Sequence, residues 1–383
     1  MKLVLLGDGE SPHLLKWARA LAPEVELWAC SSRGFMAGFD ELVPPARRLA
    51  LGTAPQFQGG NVGLLGQLPR LARWLKQVRP DWIHAHYLTS HGTLAWLATR
   101  MLGAPGRIAG SAWGSDILVT PERGPLWRWV TRQVLAACAI STSDSQYMAW
   151  RMRALGAGEV MVFPFGLESL PAPTPPDSKF SHLFFANRGL EPIYAPERVM
   201  QVFAAIAAEW TDAELVVANT GSQQAGMKRL AAQAGLAHCV RFVGRLDAAE
   251  QARWYSRARW YLSLPRSDSV SVSVLEAMAY GCIPLLSDLP ANHELVRSGD
   301  NGLVLPDAQV PGTAVLEPLA QRAQAIAEAN HAWVAENAMF GPSVAEFLER
   351  LREIQAGRKR RVRMSTPQPA VVVEQPPATA PGP

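Results

Sequence analysis

Two carboxylates, Asp268 and Glu276, stand eight positions apart in "RSDSVSVSVLEAMAYG", residues 266–281, with alternating Ser and Val between them. The preceding "WYLSLP" reads as a strand, so the segment predicts an outgoing loop and a helix over 272–281 with Glu276 in its first turn. Unpaired N–H groups and the positive end of a helix favour an anion there, such as a diphosphate. A carboxylate beside that anion can accept two vicinal hydroxyls, as on a ribose, and a second acid can hold the hydroxyls of another sugar. A plainer reading uses the same residues. Ser273 and Glu276 form an S-x-x-E capping box, and Asp268 is an ordinary turn residue. Spacing alone leaves both open.

The elements around this segment alternate. "KLVLLGDG", "EVELWAC", "PDWIHAHYL", "RIAGSAWGSD", "AISTSD" and "EVMVFPFG" read as strands, with helices between several of them. Ser11 caps the first helix and Pro12 suits its first position. That rhythm belongs to a parallel, doubly wound sheet. It breaks at a Pro-rich linker, 166–178, and resumes with "HLFFANRG", "ELVVANTG", "VRFVG", "WYLSLP" and "IPLLSD". The chain therefore divides into a first Rossmann-like domain over 1–165, the linker, and a second over 179–335. A helical segment over 336–356 follows and is placed to pack back on the first domain. Residues 357–383, a basic cluster and then a Pro-rich stretch, cannot bury a core and are expected to be disordered. Two doubly wound domains facing across a cleft put the reaction site at the strand carboxyl ends.

Composition narrows the function. A chain of 383 residues exceeds what one core usually fills. Five of its 37 Lys/Arg but one of its 33 Asp/Glu lie in 357–383, so the body is charge-balanced, which argues against a general nucleic-acid binder. Cys30, Cys138, Cys239 and Cys282 are dispersed, pointing to a reducing compartment without structural zinc. "MKLVLLGDGE" is too short in its apolar run for a signal peptide, and no stretch has the ~18 apolar residues of a membrane span. A cytoplasmic location is expected, in contact with the inner face of a membrane if the basic surfaces are used. Those surfaces are Arg70, Arg73, Lys76 and Arg79 opposite Leu68, Leu71, Leu75 and Val78, the stretch "LWRWVTRQVL" with Trp127 and Trp129, and the tail. They suit either anionic lipid headgroups or plain solvation.

In combination, the acid-x7-acid spacing, "EAMAYGCIPLLSD" and "HELVRSGDNGLVLP" resemble the donor-site signature of family 4 glycosyltransferases of the GT-B fold. "PDWIHAHY", "GSDIL", "SDSQYMAWRMRALGAGEVMVFPFGLE" and "VRFVGRLDAAEQARWYSRARWYLSLP" resemble further segments in order, so the likeness runs over about 1–355. It implies an α/β protein with two Rossmann-like domains that transfers a sugar from a nucleotide-diphospho-sugar to a glycan or lipid-linked acceptor. It further implies retention of configuration, no bound metal and no cofactor beyond the donor. By resemblance Glu276 holds the donor ribose and Asp268 the donor-sugar hydroxyls near the reacting carbon. Arg188 and the amides of Ser269, Val270 and Ser271 meet the diphosphate, with Gly221 and Gly244 on the same side. Gly7, His86, Trp113 and Asp116 fall on the acceptor side.

The chain departs from the family pattern at three places. Asp268 stands where Glu is usual, Ile193 and Tyr194 where a second phosphate-binding basic residue, a lysine, is usual, and Trp113 where many members have His. Gly7 and Gly9 lack the third glycine of a dinucleotide fingerprint, since Pro12 stands there. His84 and His86 share a strand face and form either a metal-ligating pair or a structural and acceptor-facing one. Asp116 either caps the next helix or touches the acceptor. The family implies cell-surface polysaccharide synthesis. The alternatives are a silent sugar-nucleotide-binding partner of a transferase and a GT-B sugar-nucleotide epimerase.

Overall fold

The computed structural model describes residues 1–53, 62–307 and 309–357, so the expected disordered tail falls outside the described residues save for Gly357. Strands β1 (Lys2–Gly7), β2 (Glu26–Ser31), β3 (Arg48–Ala50), β4 (Trp82–His86), β5 (Arg107–Ser111), β6 (Cys138–Ser143) and β7 (Val160–Val162) form one sheet in the order β3-β2-β1-β4-β5-β6-β7. Strands β8 (Phe180–Ala186), β9 (Glu214–Ala218), β10 (Val240–Gly244), β11 (Ala258–Ser263), β12 (Ile283–Ser287) and β13 (Leu303–Leu305) form the other, in the order β10-β9-β8-β11-β12-β13. Every pairing in both is parallel. Strands covered on both faces need unbroken apolar runs, and β1 supplies one, buried from Leu3 through Gly7.

In each sheet the strand order reverses once, between β1 and β4 and between β8 and β11. Loops leaving such neighbours turn to opposite faces and open a crevice at their carboxyl ends. Gly7 and His86 lie at the first switch point, and Arg188 and Asp268 follow the strands of the second. Topology thus collects residues from four distant stretches. The three-residue edge strands β3 and β13 are too short to carry an apolar pattern, and sequence reading passed over them.

The helix Phe340–Gln355 returns to the first domain. Phe340, Phe347 and Leu351 are buried with Leu3, Leu5 and Trp17 beneath the first sheet. The chain therefore crosses between the domains twice, and the two crossings are tied together. Leu167 N–H donates to the Ala338 carbonyl at 2.8 Å, and Phe340 N–H donates to the Leu167 carbonyl at 2.8 Å. Lys16 lies over this junction, its ammonium donating to the Phe165 carbonyl at 2.9 Å and also to that of Gly166, while Arg19 grips Glu168 with two bonds of 2.8 and 2.6 Å. The basic helix Leu68–Val78 keeps Arg70, Arg73 and Lys76 exposed and buries Leu71, Leu75 and Val78. Among the described residues no helix is long and apolar enough to cross a membrane.

Backbone crowding at the crossing makes Gly166 irreplaceable. A Cβ there would lie 1.8 Å from the Ala338 carbonyl oxygen, a backbone atom that the paired crossing holds in place. Gly166→Ala is expected to destabilise the fold by about 1–3 kcal/mol through overpacking. Thermal unfolding measures it; an unchanged melting temperature would mean that the crossings separate freely.

Candidate functional site

The helix following β11 spans Val272–Ala279 and takes Ser271 as its N-cap residue, without a side-chain capping bond. Glu276 therefore stands in the second turn rather than the first, and the capping-box reading of Ser273 and Glu276 fails. The Glu276 carboxylate instead accepts the Tyr255 hydroxyl at 2.9 Å. Tyr255 also receives the Asn187 amide at 2.7 Å, and Asn187 accepts the Tyr261 hydroxyl at 2.7 Å. This chain of bonds fixes Glu276 beside the Asn187–Arg188 turn at the end of β8. Burial raises the Glu276 pKa, opposed by the Tyr255 bond and by Lys16.

Arg188 and Asp268 meet directly, Nη2 to Oδ2 at 2.5 Å, with 18% and 20% of their side chains exposed. A second arm of the guanidinium donates to the Ser271 hydroxyl. The Tyr194 ring lies 4.6 Å below the guanidinium, a cation–π contact at the place where the family pattern has a basic residue. Burial raises the Asp268 pKa and the Arg188 charge opposes it.

The loop amides that were expected to face an anion already hold protein carboxylates. Ser269 N–H donates to Asp268 Oδ1 at 3.0 Å. Val270 N–H and the Ser269 hydroxyl both donate to Asp144, which closes β6 of the other domain. Ser269 also bonds the Ser145 hydroxyl at 2.8 Å. A parallel contact lies alongside, where Glu294 accepts the Gln146 and Tyr147 amides, at 2.8 and 2.9 Å, at the start of the helix Gln146–Ala154. Burial pushes the Asp144 pKa up to about 8, against the Ser269 bond and with the help of Asp268.

On the facing wall, Gly7 ends β1 where a Cβ would come 2.5 Å from Leu14. His84 is fully buried and its Nε2 bonds the Ser111 hydroxyl at 2.7 Å. His86 accepts the Trp113 indole N–H on Nδ1 at 3.2 Å, which fixes the ring of Trp113 at the crevice. Burial lowers the pKa of both histidines. Among the described residues no group of three His, Cys, Asp or Glu is placed to hold a metal ion. Asp116 is fully buried and its two oxygens accept the Leu88 and Trp113 amides at 2.8 and 2.9 Å. It braces the loops after β4 and β5 and has no face left for an acceptor. Gly221 packs on the Leu190 carbonyl, next to the Arg188 turn, whereas Gly244 ends the edge strand β10, two strands from β8.

Asp144, Ser145, Glu294, Tyr255 and Asn187 were not singled out from sequence. Asp144 had a usable signal, an acid at the carboxyl end of a strand. The Tyr255–Asn187 network had none, because only tertiary packing brings its members together.

Two family models match consecutive parts of the chain: "Glycosyl transferase 4-like" over residues 2–144 and "Glycosyl transferases group 1" over residues 171–315. The phosphatidyl-myo-inositol mannosyltransferase of Mycobacterium leprae is 25% identical over 313 residues, covering 78% of this chain and 79% of that protein. The D-inositol 3-phosphate glycosyltransferase 2 of Catenulispora acidiphila is 27% identical over 349 residues, covering 78% of each. Anabaena HepE in complex with UDP and glucose has the same fold, with TM-score 0.72 and 14% identity over 91% of this chain and 100% of that one. Sucrose-phosphate synthase from Thermosynechococcus elongatus gives TM-score 0.74 and 15% identity over 93% and 100%.

The raised pKa of Asp144 has a defined sign. The folded chain binds a proton that the unfolded chain, with the ordinary value of 3.8, releases, so stability falls as pH rises from about 4 to about 8. Asp144→Asn keeps an acceptor for Ser269 and is expected to remove that contribution. Denaturant unfolding at a series of pH values checks it, and identical pH dependence in both proteins would mean that Asp144 is ionised in the fold.

Proposed function

We propose a donor chemistry and a place of action for this chain, which belongs to the group 1 glycosyltransferases and moves a sugar from donor to acceptor. The donor is a nucleotide-diphospho-sugar. Glu276 accepts the ribose hydroxyls, Asp268 the hydroxyls of the donor sugar, and Arg188 with the amides of 269–271 receives the diphosphate. The observation that carries this reading is the convergence of Arg188, Asp268 and the Tyr255-bound Glu276 at one switch point. UDP in the HepE complex is in keeping with it. The reaction retains configuration and uses no divalent ion. Fixed positive groups at the leaving oxygen lower the barrier as the glycosidic bond breaks, and Arg188 and the loop amides supply them.

The acceptor is a polyhydroxylated glycan or a lipid-linked one, in cell-surface polysaccharide synthesis. Two relatives are named for inositol-containing acceptors, which is the same hydroxyl chemistry. The chain meets anionic lipid on the cytoplasmic side through the exposed Leu126, Trp127 and Trp129 of the helix Pro125–Ala137 and the basic face of Leu68–Val78. A second reading, a silent sugar-nucleotide-binding partner, draws on Tyr194 standing in place of the second cation.

Transfer at saturating donor, with EDTA present, separates the readings. Product is expected from the wild type, none from Arg188→Ala, and a partial rate from Arg188→Lys, where a point charge replaces a two-armed fork. Near-normal turnover in Arg188→Ala would remove Arg188 from the diphosphate. Nucleotide binding without consumption of any donor would favour the silent partner.

A further inference from the structure

The donor site proposed above lacks the second basic residue of the family pattern, and a basic side chain approaches the same place from the opposite wall. His13 sits in the first turn of the helix Pro12–Leu21, immediately after the β1 switch-point loop. Its ring lies 5.0 Å from that of Trp113, centroid to centroid. Trp113 is itself held by His86, and the adjoining Gly114 meets the donor loop, where a Cβ would sit 3.8 Å from the Ser269 backbone nitrogen. Ser269 in turn adjoins the Arg188–Asp268 pair. His13 keeps access to solvent in the crevice. Unlike His84 and His86, it is not committed to the core.

We propose that His13 is the second cation of the donor site, taking up a proton when a nucleoside diphosphate binds and neutralising the diphosphate across the crevice from Arg188. The inference rests on the donor-site reading given above.

The charged and titratable groups around His13 explain why it waits uncharged. Desolvation in the crevice, Lys16 on its own helix and Arg188 on the opposite domain together push it down to about 4, while His86 on the adjoining strand is held neutral by its own burial. A bound diphosphate reverses the sign of that field, because several negative charges arrive between His13 and Arg188. In transfer, the bond from the sugar carbon to the phosphate oxygen breaks with its electron pair on that oxygen. The acceptor oxygen forms the new bond to the same carbon, and the acceptor proton passes to the departing diphosphate. His13 then faces the added negative charge as imidazolium and gives its proton to solvent when the nucleotide leaves. Tyr194 can stand in place of a basic residue because the charge comes from the other domain.

Calorimetry with UDP and with GDP, in buffers of differing ionisation enthalpy, counts the protons exchanged on binding. At pH 6 the wild type is expected to take up more than His13→Gln by a sizeable fraction of a proton, approaching about one when His13 is fully charged in the complex. Subtraction cancels the contributions of Asp144, Asp268 and the nucleotide itself. His13→Lys carries a fixed charge and is expected to bind without that extra uptake and to hold its affinity as pH rises from 6 to 8, where wild-type affinity falls. The turnover number of His13→Gln is expected to drop about a hundredfold. Equal proton uptake in wild type and His13→Gln, with both binding nucleotide, would overturn the role of His13 and leave the donor site standing. Failure of every protein to bind either nucleotide would overturn the donor site and the inference together.

Discussion

Asp144 is buried against the hydroxyl of Ser269 and the amide of Val270, and the geometry of the crevice depends on that contact. A loop at the end of a parallel strand presents N–H groups that need acceptors. The chain supplies carboxylates instead. Asp268 takes the Ser269 amide, Asp144 takes that of Val270, and Glu294 does the same for the facing helix. The two domains are thus held closed by acceptors standing where an anionic ligand is expected. With the diphosphate on the 269–271 amides, as proposed above, its entry displaces one of these acceptors and couples donor binding to domain contact.

The covalent route between the domains suits such exchange. Both crossings meet at the pairing of Leu167 with Met339, and Lys16 and Arg19 strap the linker to the first domain. Rotation about this narrow junction leaves both cores intact, since neither apolar cluster of the second sheet includes residues of the first domain. Motion of this kind has its resistance in a handful of polar contacts rather than in buried apolar area.

Much of this was legible in the sequence. Strand rhythm, the linker and the crossing point of the acids follow from runs of apolar residues and from Gly and Pro, which act locally. Asp268, Glu276 and Arg188 were picked out through the family resemblance of the segments that carry them, since spacing alone left the two acids open to a turn and capping-box reading. What sequence could not carry was the pairing of those groups. Arg188 meets Asp268 through a fold 80 residues deep, and Glu276 is fixed by a tyrosine from another helix. The capping-box error came from a helix that starts one residue after Ser271, so that Ser273 lies inside it. Asp116, equally plausible as a ligand, proved to be spent on two backbone amides.

The central claim is that Asp144 and the donor diphosphate compete for the amides of the 268–271 loop. Removing the carboxylate should then help the ligand. The most direct measurement is the affinity of Asp144→Ala for UDP, set against the wild type by calorimetry at one pH. The account predicts tighter binding, by about three- to tenfold for the loss of a competing hydrogen-bond acceptor. Equal or weaker binding in a folded variant would contradict it, and would place the diphosphate away from this loop.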